Sequence, residues 1–284
     1  MGVAAARMGL DVLLVELEGY SNLGRLFGRA DLDYDEVILE EGDGGGRLRA
    51  RRITPDEALA DYLDHSGLRV VTNRLARTGA VEVVTAAAPG IRDLLALGKI
   101  RQLEQRGEAD LIVVDAPASG HARTFLQAPA GLAATSSAGP VRHQADLALE
   151  LLGDEHRCRV TLVTLPEETP VTETVETAYE LEDRVGVKLG PVVVNGCWPA
   201  VDGLAAAVAR VDGTGAGSVT GSRRSRLGPP RAVDAARYRL GRVAGQRAEI
   251  ERLTRELPLP AVELPFLFTS DLSRPHLDAL AAAL

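Results

Sequence analysis

Short apolar runs recur along the chain and predict the strands of a sheet. Four of them stand out, at residues 12–15, 111–114, 160–163 and 192–194, and a weaker fifth lies at 261–264. The runs are nearly continuously apolar and do not follow a regular apolar–polar alternation, which is typical of strands that helices cover on both faces. The pattern predicts an α/β fold with a doubly wound, mostly parallel sheet.

Helical patterns with recognisable ends lie between these runs. Thr54, Pro55 and Glu57 supply a capping hydroxyl, a first-turn proline and a carboxylate that reaches back to the start of the helix. Thr169 and Pro170 open another helix in the same way, and Gly186 ends it. Further helices are expected at about residues 91–105, 141–152, 232–256 and 271–284.

The alternation of strands and helices over the whole length favours one domain, residues 1–284. Helices at about 54–106 interrupt the rhythm and predict a helical insertion beside the sheet. The stretch at about 212–230 is rich in Gly and Ser and predicts a flexible linker. Its GTGAGSVTGS segment has no Gly-Lys pair followed by Ser or Thr and no strand before it, so a phosphate-binding loop is not expected there.

The composition argues against nucleic-acid binding, a disulfide framework and insertion into a membrane. The formal charge of −8 and the pI near 5.3 argue against a nucleic-acid partner, because phosphate binding needs concentrated Lys and Arg. Two cysteines give no disulfide framework, which favours the reducing cytoplasm. No run approaches the roughly 20 apolar residues that span a bilayer, so direct membrane insertion is not expected.

In open α/β sheets, ligands bind beyond the carboxyl ends of the strands, so the residues at these positions are candidates for a functional site. Asp115 ends the apolar run at 111–114 and is followed by a tight turn in the sequence DAPASGH, residues 115–121. An acid in this position is how nucleotide hydrolases hold Mg²⁺ against phosphates, although a single Asp can also serve only as a helix cap. The full heptapeptide favours the nucleotide reading.

Two further strand ends carry candidate residues. Glu18 follows the first apolar run, where a carboxylate can orient and deprotonate an attacking water, or can simply belong to a turn. Asn195 ends the run at 192–194 and offers both a donor and an acceptor to a purine edge, although Asn also suits turns without any ligand. Each is a weak signal alone.

Taken in order, these segments resemble the anion-transporting ATPase family, which includes the arsenite-pump ATPase and the targeting factor for tail-anchored proteins. Residues 115–121 resemble the DTAPTGH of switch II, and 125–129 continue the likeness. EGYSNL at 18–23 stands where the family has DPAHSL, its switch I. VVVN at 192–195 and Leu-Pro-Phe at 264–266 resemble the segments that surround adenine.

The resemblance implies a P-loop NTPase fold of the SIMIBI type, ATP and Mg²⁺ as ligands, and a nucleotide-driven homodimer switch. It implies that Asp115 organises Mg²⁺ and water and that the Gly120 N–H senses the γ-phosphate. It implies that Asn195 holds adenine, which Pro265 and Phe266 line, and that Glu18 replaces the family's water-activating Asp with a side chain one methylene longer.

The chain departs from the family at its start. Members begin with a strand and a GKGGVGK loop followed by Ser or Thr, whose N–H groups and Lys hold the phosphates. Here residues 2–8 correspond to the helix after that loop, so the first strand and the loop are expected to be missing from this sequence. No CxxC motif and only two Met residues are present, so neither known cargo is implied and the partner stays open.

Two alternatives remain. One is a degenerate, non-catalytic relative that acts as an interaction protein. The other is a partitioning ATPase of the MinD or ParA type. That class commonly ends in a basic amphipathic membrane helix, whereas the last helix here carries Arg274 as its single Lys or Arg.

Overall fold

The computed structural model describes residues 1–17, 23–29, 31–42, 44–65, 90–213 and 230–284. Within these ranges the chain alternates between strands and helices, as the apolar pattern predicts. The first part contains, in order, α1 (Gly2–Arg7), β1 (Asp11–Leu17), α2 (Leu23–Leu26), β2 (Val37–Glu41), β3 (Arg47–Ile53), α3 (Pro55–His65), α4 (Ile91–Arg106), β4 (Leu111–Asp115), α5 (Ser119–Thr135) and α6 (Pro140–Gly153).

The second part continues the alternation with shorter strands. The predicted helix from Thr169 begins at Glu168 and passes into a π-helical turn before Gly186, whose φ of 77° ends it. The elements are β5 (Val163–Thr164), α7 (Glu168–Glu180), the π-helical turn (Leu181–Val185), β6 (Val192–Cys197), α8 (Leu204–Gly213), α9 (Pro230–Glu256), β7 (Ala261–Pro265) and α10 (Arg274–Ala281).

A four-stranded sheet has the order β2-β3-β1-β4. β1 is central and pairs in parallel with β3 and β4, whereas β2 pairs antiparallel with β3. Val12 and Val15 of β1 are fully buried, which agrees with their place in a continuous apolar run.

A three-stranded parallel sheet has the order β5-β6-β7. β5 is shorter than the run at 160–163 predicts. Val160 forms only an isolated parallel bridge with Leu189, which lies before the start of β6. In this bridge the Val160 N–H donates to the Lys188 carbonyl at 2.8 Å. The regular strand pairing therefore starts only at Val163.

The strands thus fall into two sheets, whereas a single continuous sheet was expected. Among the described strands, β4 pairs only with β1 and β5 only with β6. Side chains on both strands are open to solvent, with Leu111 37% and Val163 65% exposed. The mixed α/β class with mainly parallel strands is confirmed, and the doubly wound arrangement stays a prediction.

The β2–β3 pair was not predicted, because the four arginines of β3 give this half-buried strand a polar sequence. Leu48 and Ala50 are fully buried, while Arg49 is paired with Asp11 and Glu36. The glycine-rich turn before β3 packs on α1: a Cβ added at Gly46 would lie 2.3 Å from the Ala6 carbonyl oxygen. Glycine is therefore required at this contact.

In the described part of the predicted insertion lie two helices, α3 and α4. They contact each other, and the Lys99 ammonium of α4 is paired with the Asp61 carboxylate of α3. Residues 66–89 of the insertion and 214–229 of the predicted linker lie outside the described residues. The insertion and linker boundaries therefore stay predictions.

Helices join the two sheets. One core cluster includes side chains from β1, α4, α5 and α6 and extends to Leu181 in the π-helical turn. At another place α10, which follows the last strand of the second sheet, packs on α1. There Asp278 pairs with Arg7, and Arg274 pairs with Glu40 of β2. We call these two ion pairs the α10 clasp.

The longest helix, α9, has 27 residues and carries seven arginines. It is too polar for a bilayer, and no other helix in the described ranges is both long and apolar enough to cross one.

Candidate functional site

Asp115 is the last residue of β4, and its side chain is exposed at the carboxyl end of the sheet. Ala118, in extended conformation, caps the next helix, and its carbonyl accepts from the His121 and Ala122 N–H groups at 2.9 Å. The carboxylate therefore stands four residues before the first turn of α5.

Gly120 is the second residue of α5. At this position a helical N–H has no acceptor within its own helix, and the helix dipole favours a negative charge nearby. A Cβ added to Gly120 would meet no atom within 4 Å, so the backbone here is accessible. Asp115 and Gly120 together offer a cation ligand and an anion-binding helix end on one short turn.

A second carboxylate, which the sequence analysis missed, lies beside Asp115. Glu16 of β1 is in register with Asp115 and is 1% exposed. Its Oε1 accepts from Nε and Nη2 of Arg52 at 3.0 and 2.8 Å, and its Oε2 accepts from the Leu23 N–H at 3.1 Å. The signal was a charged residue between the apolar run at 12–15 and Leu17. Glu18, the predicted water-activating residue, lies outside the described residues.

The start of α4 lies against the same helix that carries Gly120. A Cβ at Gly90 would lie 3.1 Å from that of Ala128 in α5. Burial raises the pKa of Asp93, while the charges of Arg92 and His121 lower it. His121 of the DAPASGH sequence therefore lies close enough to Asp93, in the first turn of α4, to interact with its charge.

Asn195 lies on β6, where its exposed side chain borders a cavity of about 220 Å³. The lining combines apolar residues with polar groups of α7. The lining residues are Leu162, Val163, Thr164, Leu165, Pro170, Glu173, Thr174, Thr177 and Asn195.

The chain bends directly after Asn195. The β6–β7 register shifts between Val194 and Cys197, and Gly196 has a φ of 77°. The buried Gln246 side chain of α9 holds this bend: it donates to the Gly196 carbonyl at 3.1 Å and accepts from the Trp198 N–H at 2.8 Å. This support for Asn195 was also missed by the sequence analysis.

Pro265 and Phe266 lie beside the bend. Pro265 is in register with Cys197, and the Phe266 N–H donates to the Cys197 carbonyl at 2.9 Å. The Phe266 ring is 41% exposed and lies 5.6 Å from the Trp198 ring. The structure therefore brings Asn195, Pro265 and Phe266 together at the second sheet, whereas Asp115 ends β4 of the first sheet and Gly120 lies in the first turn of α5.

An aromatic cluster continues from Phe266. Trp198 and Phe268 are 5.1 Å apart between ring centroids, and the Arg239 guanidinium lies over both rings at 5.5 and 5.1 Å. A groove of about 410 Å³ opens beside them between α8 and α9. Burial and the Glu263 carboxylate raise the pKa of the nearby Cys197 to about 11, with Arg247 opposing.

Asp115 supplies one oxygen donor of the kind that Mg²⁺ prefers. The described ranges hold no group of three or more His, Cys, Asp or Glu side chains that could bind a metal ion. Mg²⁺ commonly binds through one or two carboxylates together with substrate phosphates and water. An accessible strand-end Asp near a helix N-terminus therefore fits Mg²⁺ that arrives with a nucleotide, and not a preformed protein cage.

This combination of α/β fold, strand-end acid and helix N-terminus is typical of nucleotide-hydrolysing proteins. The chain is related to the arsenical-pump type of anion-transporting ATPase, which confirms the resemblance. It is 35% identical over 207 residues to ATPase BagA of Mycobacterium tuberculosis, covering 70% of this chain and 60% of that protein. It therefore spans less than two thirds of that relative.

More distant similarity extends to named arsenical pump-driving ATPases. Identity is 26% over 234 residues with the Escherichia coli protein and 28% over 232 residues with the Acidiphilium multivorum protein. Each match covers 72% of this chain and 38% of the relative. No protein-family profile matches the chain.

Proposed function

We propose that this protein binds ATP with Mg²⁺ and hydrolyses it. The observation that carries the proposal is the β4–α5 turn, where the exposed Asp115 precedes the accessible amides at the start of α5. A carboxylate and a helix N-terminus complement the two charges of a metal–phosphate pair. The relationship to proteins named as ATPases supports the same activity.

Each candidate residue has a role in this proposal. Asp115 holds Mg²⁺, directly or through water, and the Gly120 N–H donates to the terminal phosphate. Mg²⁺, when bound, neutralises charge on the phosphate oxygens. Asn195 reads the adenine edge, which Pro265 and Phe266 line. Glu18 orients the attacking water.

The remaining phosphate contacts are assigned to a segment outside these 284 residues, since the sequence contains no Gly-Lys pair followed by Ser or Thr. We place that segment between β4 and β5, each of which pairs with one described strand and has exposed apolar side chains. One parallel strand there would join the two sheets into the doubly wound sheet of a SIMIBI-type P-loop NTPase.

The proposal includes a homodimer that changes between open and closed states with the nucleotide, located in the cytoplasm where ATP is supplied. Transport of an anion or delivery of a protein cargo is a further extension, and the chemistry of the cargo is not assigned. A non-catalytic interaction protein is the competing function, favoured by the lack of a phosphate-loop lysine in the sequence.

The test measures phosphate release from ATP with and without Mg²⁺. Two forms are compared: the 284-residue chain, and the chain extended at its N-terminus by the preceding in-frame genomic sequence. Asp115→Asn is expected to reduce hydrolysis by about 100-fold or more in the active form. Asp146→Asn, which removes an exposed carboxylate paired with Arg142 on α6, is the matched control and should leave the rate unchanged.

The outcomes separate the two functions. Hydrolysis that Asp115→Asn abolishes and Asp146→Asn preserves supports the enzyme. Binding of ATP without hydrolysis, or neither in both forms, supports the interaction protein and overturns the proposed activity.

A further inference from the structure

Glu16 is a buried acid near the carboxyl end of β1, at the same end of the sheet as Asp115. It is 1% exposed, and both of its carboxylate oxygens accept hydrogen bonds. A buried carboxylate is stable only when its charge and lone pairs are matched, and here the guanidinium of Arg52 and the Leu23 N–H match them.

The partner of Glu16 is itself held in place. The Arg52 N–H donates to the Asp33 carbonyl at 2.7 Å, which fixes the backbone of β3 at this point. Its guanidinium makes two hydrogen bonds to the same oxygen of Glu16. The Leu23 N–H, at the start of α2, binds the other oxygen. Glu16 therefore joins three segments: the ends of β1 and β3 and the start of α2.

The registers align these charges in one row. Glu16 is in register with Arg52 on one side and with Asp115 on the other. Residues in register on neighbouring strands project to the same face of a sheet, and strands are about 4.8 Å apart. The backbones of Arg52 and Asp115 are therefore about 10 Å apart, two strand spacings. The long arginine side chain could span this distance if Glu16 did not bind its guanidinium.

We propose that Glu16 is a positioning residue that keeps Asp115 free for a divalent cation by binding Arg52 and fixing the start of α2. This role rests on the proposed function, in which Asp115 holds Mg²⁺. An arginine released from Glu16 would pair with Asp115, the next carboxylate in the row, and compete with the metal. Glu16 acts through Arg52 and does not itself touch the nucleotide.

The first arm of the test does not depend on catalysis. Hydrogen–deuterium exchange by mass spectrometry compares the wild type with Glu16→Gln, in which an amide NH₂ faces either Arg52 or the Leu23 N–H. Exchange at residues 23–29 is expected to rise at least about fivefold while residues 12–15 of β1 keep their protection. No change at 23–29 overturns the proposal, and so does an equal loss of protection in β1, because that would be general destabilisation.

The second arm measures the Mg²⁺ dependence of ATP hydrolysis in the active form. Glu16→Gln is expected to raise the Mg²⁺ concentration for half-maximal rate on the order of tenfold, the effect of one competing charge at short range, and to leave the KM for ATP unchanged. Glu16→Gln combined with Arg52→Met, which removes the competing cation, is expected to restore the Mg²⁺ requirement. A purely structural role would predict no restoration.

Glu104→Gln is the matched control. Glu104 of α4 binds Arg157 through two hydrogen bonds of 2.9 Å in a half-buried pair outside the row, and its loss should not change the Mg²⁺ requirement. An unchanged Mg²⁺ requirement in Glu16→Gln, or an equal change in Glu104→Gln, overturns the proposal. If wild type hydrolyses no ATP, the proposed function fails, and the exchange arm alone still decides whether Glu16 fixes α2.

Discussion

Gln246 binds the chain on both sides of Gly196, one residue after Asn195. Its amide donates to the Gly196 carbonyl at 3.1 Å, and its oxygen accepts from the Trp198 N–H at 2.8 Å. A side chain on α9 thus sets the direction in which the end of β6 leaves the sheet. The position of Asn195 depends on a residue about 50 positions away in the sequence.

Replacing Gln246 with Leu is expected to lower the free energy of unfolding by about 1–3 kcal/mol, because two partly buried backbone groups lose their hydrogen-bond partners. Urea denaturation followed by circular dichroism measures this. Gln127→Leu is the control, since the Gln127 side chain makes one long contact of 3.4 Å with Glu180. Equal stabilities for the two variants would contradict the assigned role of Gln246.

Gly46→Ala is expected to lower the unfolding free energy by about 3 kcal/mol, because the new methyl group would collide with backbone that cannot turn away. A Cβ there lies 2.3 Å from the Ala6 oxygen and 2.6 Å from that of Leu10. Gly245→Ala in α9 meets no atom within 4 Å, and a gain of about 0.5–1 kcal/mol is expected for it. Thermal unfolding of both variants distinguishes the effects; a harmless Gly46→Ala would refute the packing of this turn on α1.

The Cys197 thiol is expected to react slowly near neutral pH. Its pKa is raised from 9.0 to about 11 by burial first and by the Glu263 carboxylate second. The thiolate fraction at pH 8 should then be about 100-fold lower than that of an ordinary cysteine. In a Cys158→Ala background, the rate of iodoacetamide alkylation should rise about tenfold per pH unit and still be rising at pH 10. A plateau below pH 9.5 would contradict the raised pKa.

Trp198 is the single tryptophan of the chain and lies 5.6 Å from the Phe266 ring, so its fluorescence reports on this part of the proposed adenine site. Titration with ATP is expected to change the emission of the active form, and Asn195→Ala should weaken binding by about 10-fold through loss of a hydrogen bond to the base. Gln127→Leu should bind normally. A titration in which Asn195→Ala matches the wild type would remove Asn195 from the site.

The sequence predicted the elements that depend on local pattern. The hydroxyl of Thr54 caps α3 by accepting from the Glu57 N–H at 3.3 Å, as the spacing of these residues predicts. Mainly apolar runs predicted β1, β4, β6 and β7, because buried parallel strands have that pattern irrespective of their partners.

Elements stabilised by distant charges were not predictable in this way. β3 carries Arg49, whose charge is balanced by Asp11 from 38 positions earlier, and Arg51, whose guanidinium lies 4.4 Å from the centre of the Tyr34 ring. Without knowledge of these partners, the sequence of the segment is typical of a charged loop. The burial of Glu16 was unpredictable for the same reason, since its charge is balanced by Arg52, 36 positions away.

For the candidate site, the expectation that ligands bind beyond the carboxyl ends of strands pointed to Asp115 and Asn195. The family resemblance added Gly120, Pro265 and Phe266. The position of these residues at the ends of strands could not reveal that they are divided between two sheets, since strand order depends on long-range pairing. Nor could it reveal Gln246, whose role follows from the packing of α9 on β6.

The α10 clasp makes one end of the junction between the two sheets sensitive to ionic strength. Its side chains are 23–39% exposed, so dissolved ions can screen them, and the Debye length falls from about 10 Å at 0.1 M to about 3 Å at 1 M salt. The other connection runs through the apolar cluster that reaches Leu181, with the Arg123–Glu180 ion pair beside it. Salt screens ion pairs and leaves apolar contacts in place, so rising ionic strength is expected to weaken the α10 clasp while the packing around Leu181 keeps the two sheets joined.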